Sequence, residues 1–223
     1  MTQAADDTRQ RLLEAAGEVF AAKGYQAATV RDICGRADAN LAAVNYHFGD
    51  KERLYVEAVR QAHSSGHDEP SPNWKSQTPP QAKLGDFVRR LLTRLLDPLR
   101  PAWHAKLMAR EMIEPSAACI DVLEPYIRAN HQMLEQILKE LLPSDTPAAE
   151  RHLIGFSIVG QCLHFKIHRP VAAILVGDEE LKTYDVARLT DHITRFSLAA
   201  VGLEEPNHGN HDVESRLSKV VEP

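Results

Sequence analysis

Apolar side chains recur at helical spacing along most of the chain, and the interruptions cut it into separate elements. From Thr8 to Lys23, Leu12, Ala16, Val19 and Phe20 fall on one face while Arg9, Arg11, Glu14 and Glu18 turn outward. Lys23-Gly24 predicts the end of this helix, because glycine accepts the left-handed conformation and lysine complements the helix dipole. Thr29, Val30, Arg31 and Asp32 then read as a capping box, opening a short helix that buries Val30, Ile33, Cys34 and Ala37. Asn40 is a good N-cap for a third helix, Leu41 to Phe48. Gly49-Asp50 breaks the pattern and re-caps it before a fourth helix, Lys51 to His63, with Leu54 and Ala58 inward. Two short helices joined by a tight turn and braced by a longer one make a helix-turn-helix.

Residues 64–80 change character: Ser, Pro, Gly and Asp dominate, and Pro70, Pro72, Pro79 and Pro80 exclude a continuous helix. This stretch reads as a loop between two domains, with Trp74 expected to pin it to a neighbouring surface. Beyond it only helical patterns occur. Leu84, Val88, Leu91, Leu92, Leu95 and Leu96 form one apolar face, ended by Asp97-Pro98 and Pro101. Helices are predicted over 102–114 and 116–142, bounded by Pro115 and Pro143, with a kink at Pro125. Segment 147–168 is apolar on more than one side and is therefore expected to be buried on more than one side. A last long helix is predicted over about 184–202. The polar tail, 204–223, is expected to be mobile, with a helical turn available at 212–221.

The pattern predicts an all-α fold: a three-helix helix-turn-helix domain over 1–50, then a larger helical domain over 51–203. Within the second, 51–66 is the connecting helix and 66–80 the loop. Composition removes several other classes. The longest apolar run, Val171 to Val176, falls far short of the roughly 18–20 residues that cross a bilayer. The N-terminus is polar and acidic, unlike a secretory signal. Cys34, Cys119 and Cys162 are odd in number and widely spaced, which indicates neither a disulfide framework nor a thiolate metal site and fits a reducing cytoplasm. The net charge is -5, and residues 1–63 hold eight Lys and Arg against nine Asp and Glu. A nucleic-acid partner therefore requires the positive groups to be focused on one face.

The richest chemistry lies in the third helix. Leu41, Val44 and Phe48 sit at i, i+3 and i+7 and predict one buried stripe. Ala42, Ala43, Asn45, Tyr46 and His47 occupy the remaining surface: small residues first, then an amide, a phenol and an imidazole. Asn pairs in bidentate fashion with adenine in the major groove, a contact worth roughly 1–3 kcal/mol of discrimination. Thr29, His47 and Lys51 stand where phosphate donors are needed, Arg31 and Arg36 add a positive rim, and Asn40 is counted with the DNA-binding residues.

These residues resemble a known family. Thr29 to Ile33, Arg36-Ala37, Val44 to Phe48, Lys51-Glu52 and Leu54 together are similar to the TetR-family signature, over residues 9–60 or so. The resemblance implies a homodimer whose two third helices read a palindromic operator in double-stranded DNA, with repression relieved by a small-molecule inducer. One departure stands out: Asn45 occupies a position where many members carry the first of two aromatic residues. Residues 161–170 resemble the C-terminal type found in regulators of bacterial efflux-pump operons. Helices 147–168 and 184–202 resemble the pair that forms a four-helix bundle across the family's two-fold axis.

For an inducer, Trp103, His104, Met108, Arg110, Met112, His131, Met133, Phe156, Gln161, His164 and Phe165 are the candidate lining of a cavity in the second domain. No cofactor and no metal are expected. His164 and His168 share a helical face, but no acid or cysteine nearby in sequence completes a ligand set. Gly155 to Gly160 misses the nucleophile-elbow spacing and reads as small residues for close packing, and phosphate-loop motifs are missing, so an enzyme is not expected. Two other classes remain: a metal- or redox-sensing regulator, and an all-helical enzyme or binding module that retains the helix-turn-helix.

Overall fold

A computed structural model describes residues 2–64 and 72–203, and every regular element in them is helical. In chain order these are α1 (Thr2–Ala27), α2 (Val30–Ala37), α3 (Leu41–Phe48), α4 (Lys51–Ser64) and α5 (Pro80–Leu96). There follow α6 (Ala102–Ile113), α7 (Ala117–Leu141), α8 (Ala148–Ile167), α9 (Arg169–Val176), α10 (Asp178–Lys182) and α11 (Val186–Ala200). The expected tail at 204–223 and part of the 66–80 loop lie outside the described residues. No helix among the described residues is long and apolar enough to cross a membrane.

Local signals set the boundaries. The break expected at Gly24 is there, with φ 78°, although helical geometry resumes for a further turn and α1 begins well before Thr8. Thr29 and Asp32 form the capping box, each side chain bonding the other's backbone N–H at 3.1 Å. Asn40 Oδ1 accepts from the Ala43 N–H at 2.9 Å. Asp38 closes α2 in the left-handed conformation, φ 48°, and Arg11 holds that turn by donating to the Ala37 carbonyl at 2.8 Å. Trp74 does fasten the loop, packing on the second core and donating to Asp86 at 3.1 Å. The pair α9 and α10 was not anticipated: Val171 to Val176 is a short helix whose Ile174 and Leu175 face outward.

Burial sorts these helices into two cores, and the division departs from a cut at residue 50. The first core joins α1 to α4, with Leu12, Phe20, Ile33, Val44, Leu54, Tyr55 and Val59 among its members. It also takes in Trp103 and Leu107 of α6 and Leu123 of α7. The second joins α5, α8 and α11 with the C-terminal half of α7, through Leu84, Val88, Leu92, Leu134, Leu138, Ile158, Leu189 and Ile193. α7 runs through Pro125; Leu123, before it, joins the first core, and Leu134 and Leu138, after it, join the second.

Gly17 explains how closely α6 approaches α1. A Cβ there would lie 2.4 Å from the Trp103 ring, and Trp103 is itself buried. Alanine at a helix-interior glycine ordinarily adds about 1 kcal/mol through propensity. Here overpacking, typically about 1–3 kcal/mol and more when an aromatic ring cannot retreat, outweighs that gain. Gly17→Ala is expected to lower the denaturant midpoint, and an unchanged or raised midpoint would contradict the packing described.

Candidate nucleic-acid interface and sensor domain

The third helix is held from behind and open in front. Val44 and Phe48 are buried against α1, α2 and α4, while Asn45 and Tyr46 are exposed, Tyr46 by 80%. His47 is half-buried, its ring edge-on to Tyr46 at 4.9 Å. Ala42 is exposed and Ala43 half-buried, which leaves the helix N-terminus bare of bulky groups. One expectation fails here: Leu41 is 51% exposed and is not part of the buried stripe. It stands on the first turn of α3, beyond the surface that covers Val44 and Phe48. An outward leucine beside Ala42 offers an apolar contact of the kind that recognises a thymine methyl group.

The expected phosphate donors ring this helix, though several are engaged. The Thr29 hydroxyl accepts from the Asp32 N–H and its hydrogen is directed to the Asp32 carboxylate, so a phosphate oxygen would have to take that place. The Asn40 amide group is free to donate while its oxygen caps α3. Lys51 Nζ lies 4.5 Å above the Tyr25 ring, an exchangeable cation–π contact. Arg36 pairs with Glu18 and Lys23 with Asp32, while Arg31 is exposed. Several acids and bases of this segment are thus engaged with one another in local ion pairs.

The second-domain candidates are spread over both cores and the surface. Trp103 belongs to the first core and donates from Nε1 to Glu14 at 2.9 Å. His104 is buried beside it, and burial, with Arg100 adding, pushes its imidazole below the usual histidine range. Met108 packs against the first core, and the Arg110 guanidinium lies beside Gly24 of α1. Met112 is exposed. His131 of α7 approaches His152 of α8 at 5.2 Å, and Met133 packs on the second core. Phe156 is 65% exposed, Gln161 is half-buried, and Phe165 meets Tyr184 edge-on at 6.4 Å. His164 stacks on His168 at 5.0 Å. The physical reason is that α6 turns its apolar face toward α1 and α4, so its residues are separated from those of α8.

A cleft of about 560 Å³ does open between α4 and the start of α7, lined by Glu52, Val56, Arg60, His63, Asp121 and Val122. Sequence reasoning missed it, since its walls come from helices far apart in the chain. Nearby, Arg94 donates to the His63 carbonyl at 2.7 Å and lies 3.9 Å over the Tyr126 ring, fastening the end of α4 to α5 and α7. At the other end of this junction Tyr55 donates to Glu111, a buried carboxylate that also accepts from the Ser116 N–H and hydroxyl at 2.9 and 3.1 Å. Cys34 and Cys162 are buried, and burial raises both thiols, Cys162 to about 12. Neither has the thiolate character that oxidation sensing requires.

Residues 12–58 match the family described as bacterial regulatory proteins of the tetR family. Residues 80–201 match the C-terminal domain of the HTH-type transcriptional dual regulator CecR. The CecR protein of Shigella flexneri is 25% identical over 207 residues, covering 86% of this chain and 92% of the relative. The HTH-type transcriptional activator FasR of Mycolicibacterium smegmatis is 43% identical over 58 residues, covering 26% of each. Among solved structures, HlyIIR, a hemolysin II transcriptional regulator, superposes with a TM-score of 0.56 at 21% identity, covering 85% of this chain and 98% of that one. A putative fatty acid metabolism regulator of Clostridium perfringens superposes at 0.59 and 19% identity, covering 88% and 100%.

The Asp32 carboxylate offers a local check of the helix-turn-helix geometry. A hydrogen bond from Lys23 and two from Thr29 push its pKa from 3.8 to about 2. The stabilisation is present above the unfolded-state value and is lost as pH falls through about 2. An NMR titration is expected to place its midpoint near 2, and Lys23→Met to move that midpoint upward; an ordinary carboxylate midpoint in the unaltered protein would contradict the capping geometry.

Proposed function

Since this chain belongs to the TetR family of bacterial DNA-binding transcriptional regulators, we propose that it acts as a homodimeric repressor released by a small-molecule inducer. The observation that carries the proposal is the single exposed face of α3, which presents Leu41, Ala42, Asn45 and Tyr46 around a helix anchored by Val44 and Phe48. In this reading Asn45 and Tyr46 contact base edges. Thr29, Arg31, Asn40, His47 and Lys51 contact the backbone, and Ala42 and Ala43 let the helix N-terminus approach the groove.

The outer faces of α8 and α11 support the dimer. These helices pack beside each other, and Leu153, Phe156, Ser157, Gly160 and His164 form an outward stripe on α8. Gly160 meets nothing within 4 Å, whereas Gly155, on the inner side, faces Leu134 and Leu138. On α11 Phe196, 58% exposed, lies one turn beyond His192. Large apolar groups interleaved with small ones on adjacent helices suit a four-helix bundle across a two-fold axis. The dimer sets the distance between the two α3 helices, which must match one turn of B-DNA, about 34–36 Å.

Release follows if the inducer binds better to a state with a different spacing. The path runs through α6 and α4. Trp103 and Glu111 fasten the two ends of α6 to α1 and α4, and Arg94 and Tyr126 fasten the end of α4 to the second domain. A shift of α5 to α7 therefore carries the reading head with it.

Two measurements test this. With operator fragments selected from random DNA, Asn45→Ala and Tyr46→Ala are each expected to weaken specific binding by roughly tenfold to a hundredfold, about 1–3 kcal/mol per contact. The double variant should abolish it with the dimer intact; retained specific binding would refute the reading of α3. Phe156→Glu combined with Phe196→Glu should give a folded monomer by analytical ultracentrifugation, and a persistent dimer would refute the α8–α11 interface.

A further inference from the structure

Positive charge gathers in one place that DNA binding does not use. Arg100 lies in the turn between α5 and α6, between Pro98 and Pro101, and its side chain is only 13% exposed. Its Nε is removed from solvent and has no hydrogen-bond acceptor. The ion pair with Asp97, itself 11% exposed, is 3.8 Å long, beyond hydrogen-bond reach. Lys166, half-buried on the last turn of α8, lies near enough to feel the charges of Arg100 and Asp97 in this turn and of Arg169, an exposed residue that opens α9. Burial, and after it the charges of Arg100 and Arg169, hold the Lys166 ammonium below the usual lysine range. Asp97 opposes these three cations with one negative charge. The first turn of α6, two residues beyond Arg100, has no side-chain cap and adds the positive end of a helix dipole.

Partly buried positive charge in excess, with a donor left without an acceptor, is costly unless something negative completes it. We propose that this junction of the α5–α6 turn with the end of α8 binds a small anion, a carboxylate or a phosphate, through Arg100, Lys166 and Arg169. The inference rests on the inducer-released reading above and assigns the inducer's chemical class. A guanidinium and an ammonium near enough to act on one another suit an anionic oxygen, and Nε supplies the directed donor. The place also fits the transmission path. Arg100 leads directly into Trp103, whose ring sits on Gly17 and whose Nε1 bonds Glu14. Glu14 is bonded in turn by Gln61 of α4 at 2.9 Å. An anion that draws Arg100 toward Lys166 moves the start of α6, and with it α1 and α4.

The test uses the full-length protein carrying Trp74→Phe, so that Trp103 is its one tryptophan. Its emission is titrated at constant ionic strength with octanoate, inorganic phosphate and, as the neutral control, octanol. Saturable binding of at least one anion and none of octanol is expected. Arg100→Gln and Lys166→Gln should each weaken it by about tenfold or more, while Arg89→Gln, on the exposed side of α5, should not. Binding of octanoate alone would identify a carboxylate carrying an apolar tail; binding of phosphate would identify a phosphate group. No saturation with either anion, equal binding of octanol, or unchanged affinity in both variants would overturn the proposal. Lys166 is only half-buried, so its substitution keeps the test open should Arg100→Gln fail to fold, as circular dichroism would report. The titration contains no DNA, so a blank result leaves the reading of α3 to be judged on Asn45 and Tyr46.

Discussion

The indole of Trp103 on the bare backbone of Gly17 is the contact on which the architecture turns. It brings α6 against α1 as no larger residue at 17 would allow, and Nε1 finds its acceptor in Glu14. A buried indole N–H needs a partner, so the ring is fixed in direction as well as depth. At the opposite end of α6, Glu111 is satisfied by Tyr55 of α4 and by Ser116 at the entry to α7. A buried carboxylate with several donors tolerates little displacement, because any lost bond leaves charge uncompensated. One helix of the larger domain is thereby fixed at both ends to the helices that carry α3.

This arrangement gives the two cores different tasks. The first packs the helix-turn-helix together with α6 and the start of α7, so the reading head extends well past its four helices. The second gathers α5, α8, α11 and the rest of α7. Because α7 belongs to both, the cores share a rigid element rather than a flexible tether. The short-range contacts of Arg94 with His63 and Tyr126 close the remaining gap. Close-packed interiors deform in steps rather than continuously, so a domain built this way is suited to moving as a unit.

Charge follows the same logic of local pairing. A net charge of -5 looks unpromising for a DNA-binding chain. Yet Glu18 and Asp32 pair with Arg36 and Lys23, while the face of α3 itself carries uncharged hydrogen-bonding and apolar groups. In the proposed reading, base contacts depend on those groups and on geometry, whereas overall charge governs only the long-range, salt-dependent part of binding. At the α5–α6 turn the imbalance is reversed, with cations around Arg100 in excess of Asp97.

The helix-turn-helix was legible residue by residue because its determinants are local. The Thr29–Asp32 box, the Asn40 cap and the spacing of Val44 and Phe48 act within a few positions of one another, so neighbouring residues suffice to predict them. The all-helical character and most helix boundaries followed from the same short-range rules. Long-range packing was not legible. Periodicity says that Trp103, Met108, Phe156 and Phe165 are apolar, but not which neighbour covers each. The first two went to the reading head, and Phe156 stayed on the surface. The exposed Leu41, the outward face of α9 and the nearness of Arg100 to Lys166 depend likewise on segments that sequence order keeps apart. Local hydrogen bonds and hydrophobic period fixed the elements, while the tertiary structure alone chose their partners, because burial depends on what arrives from elsewhere in the chain.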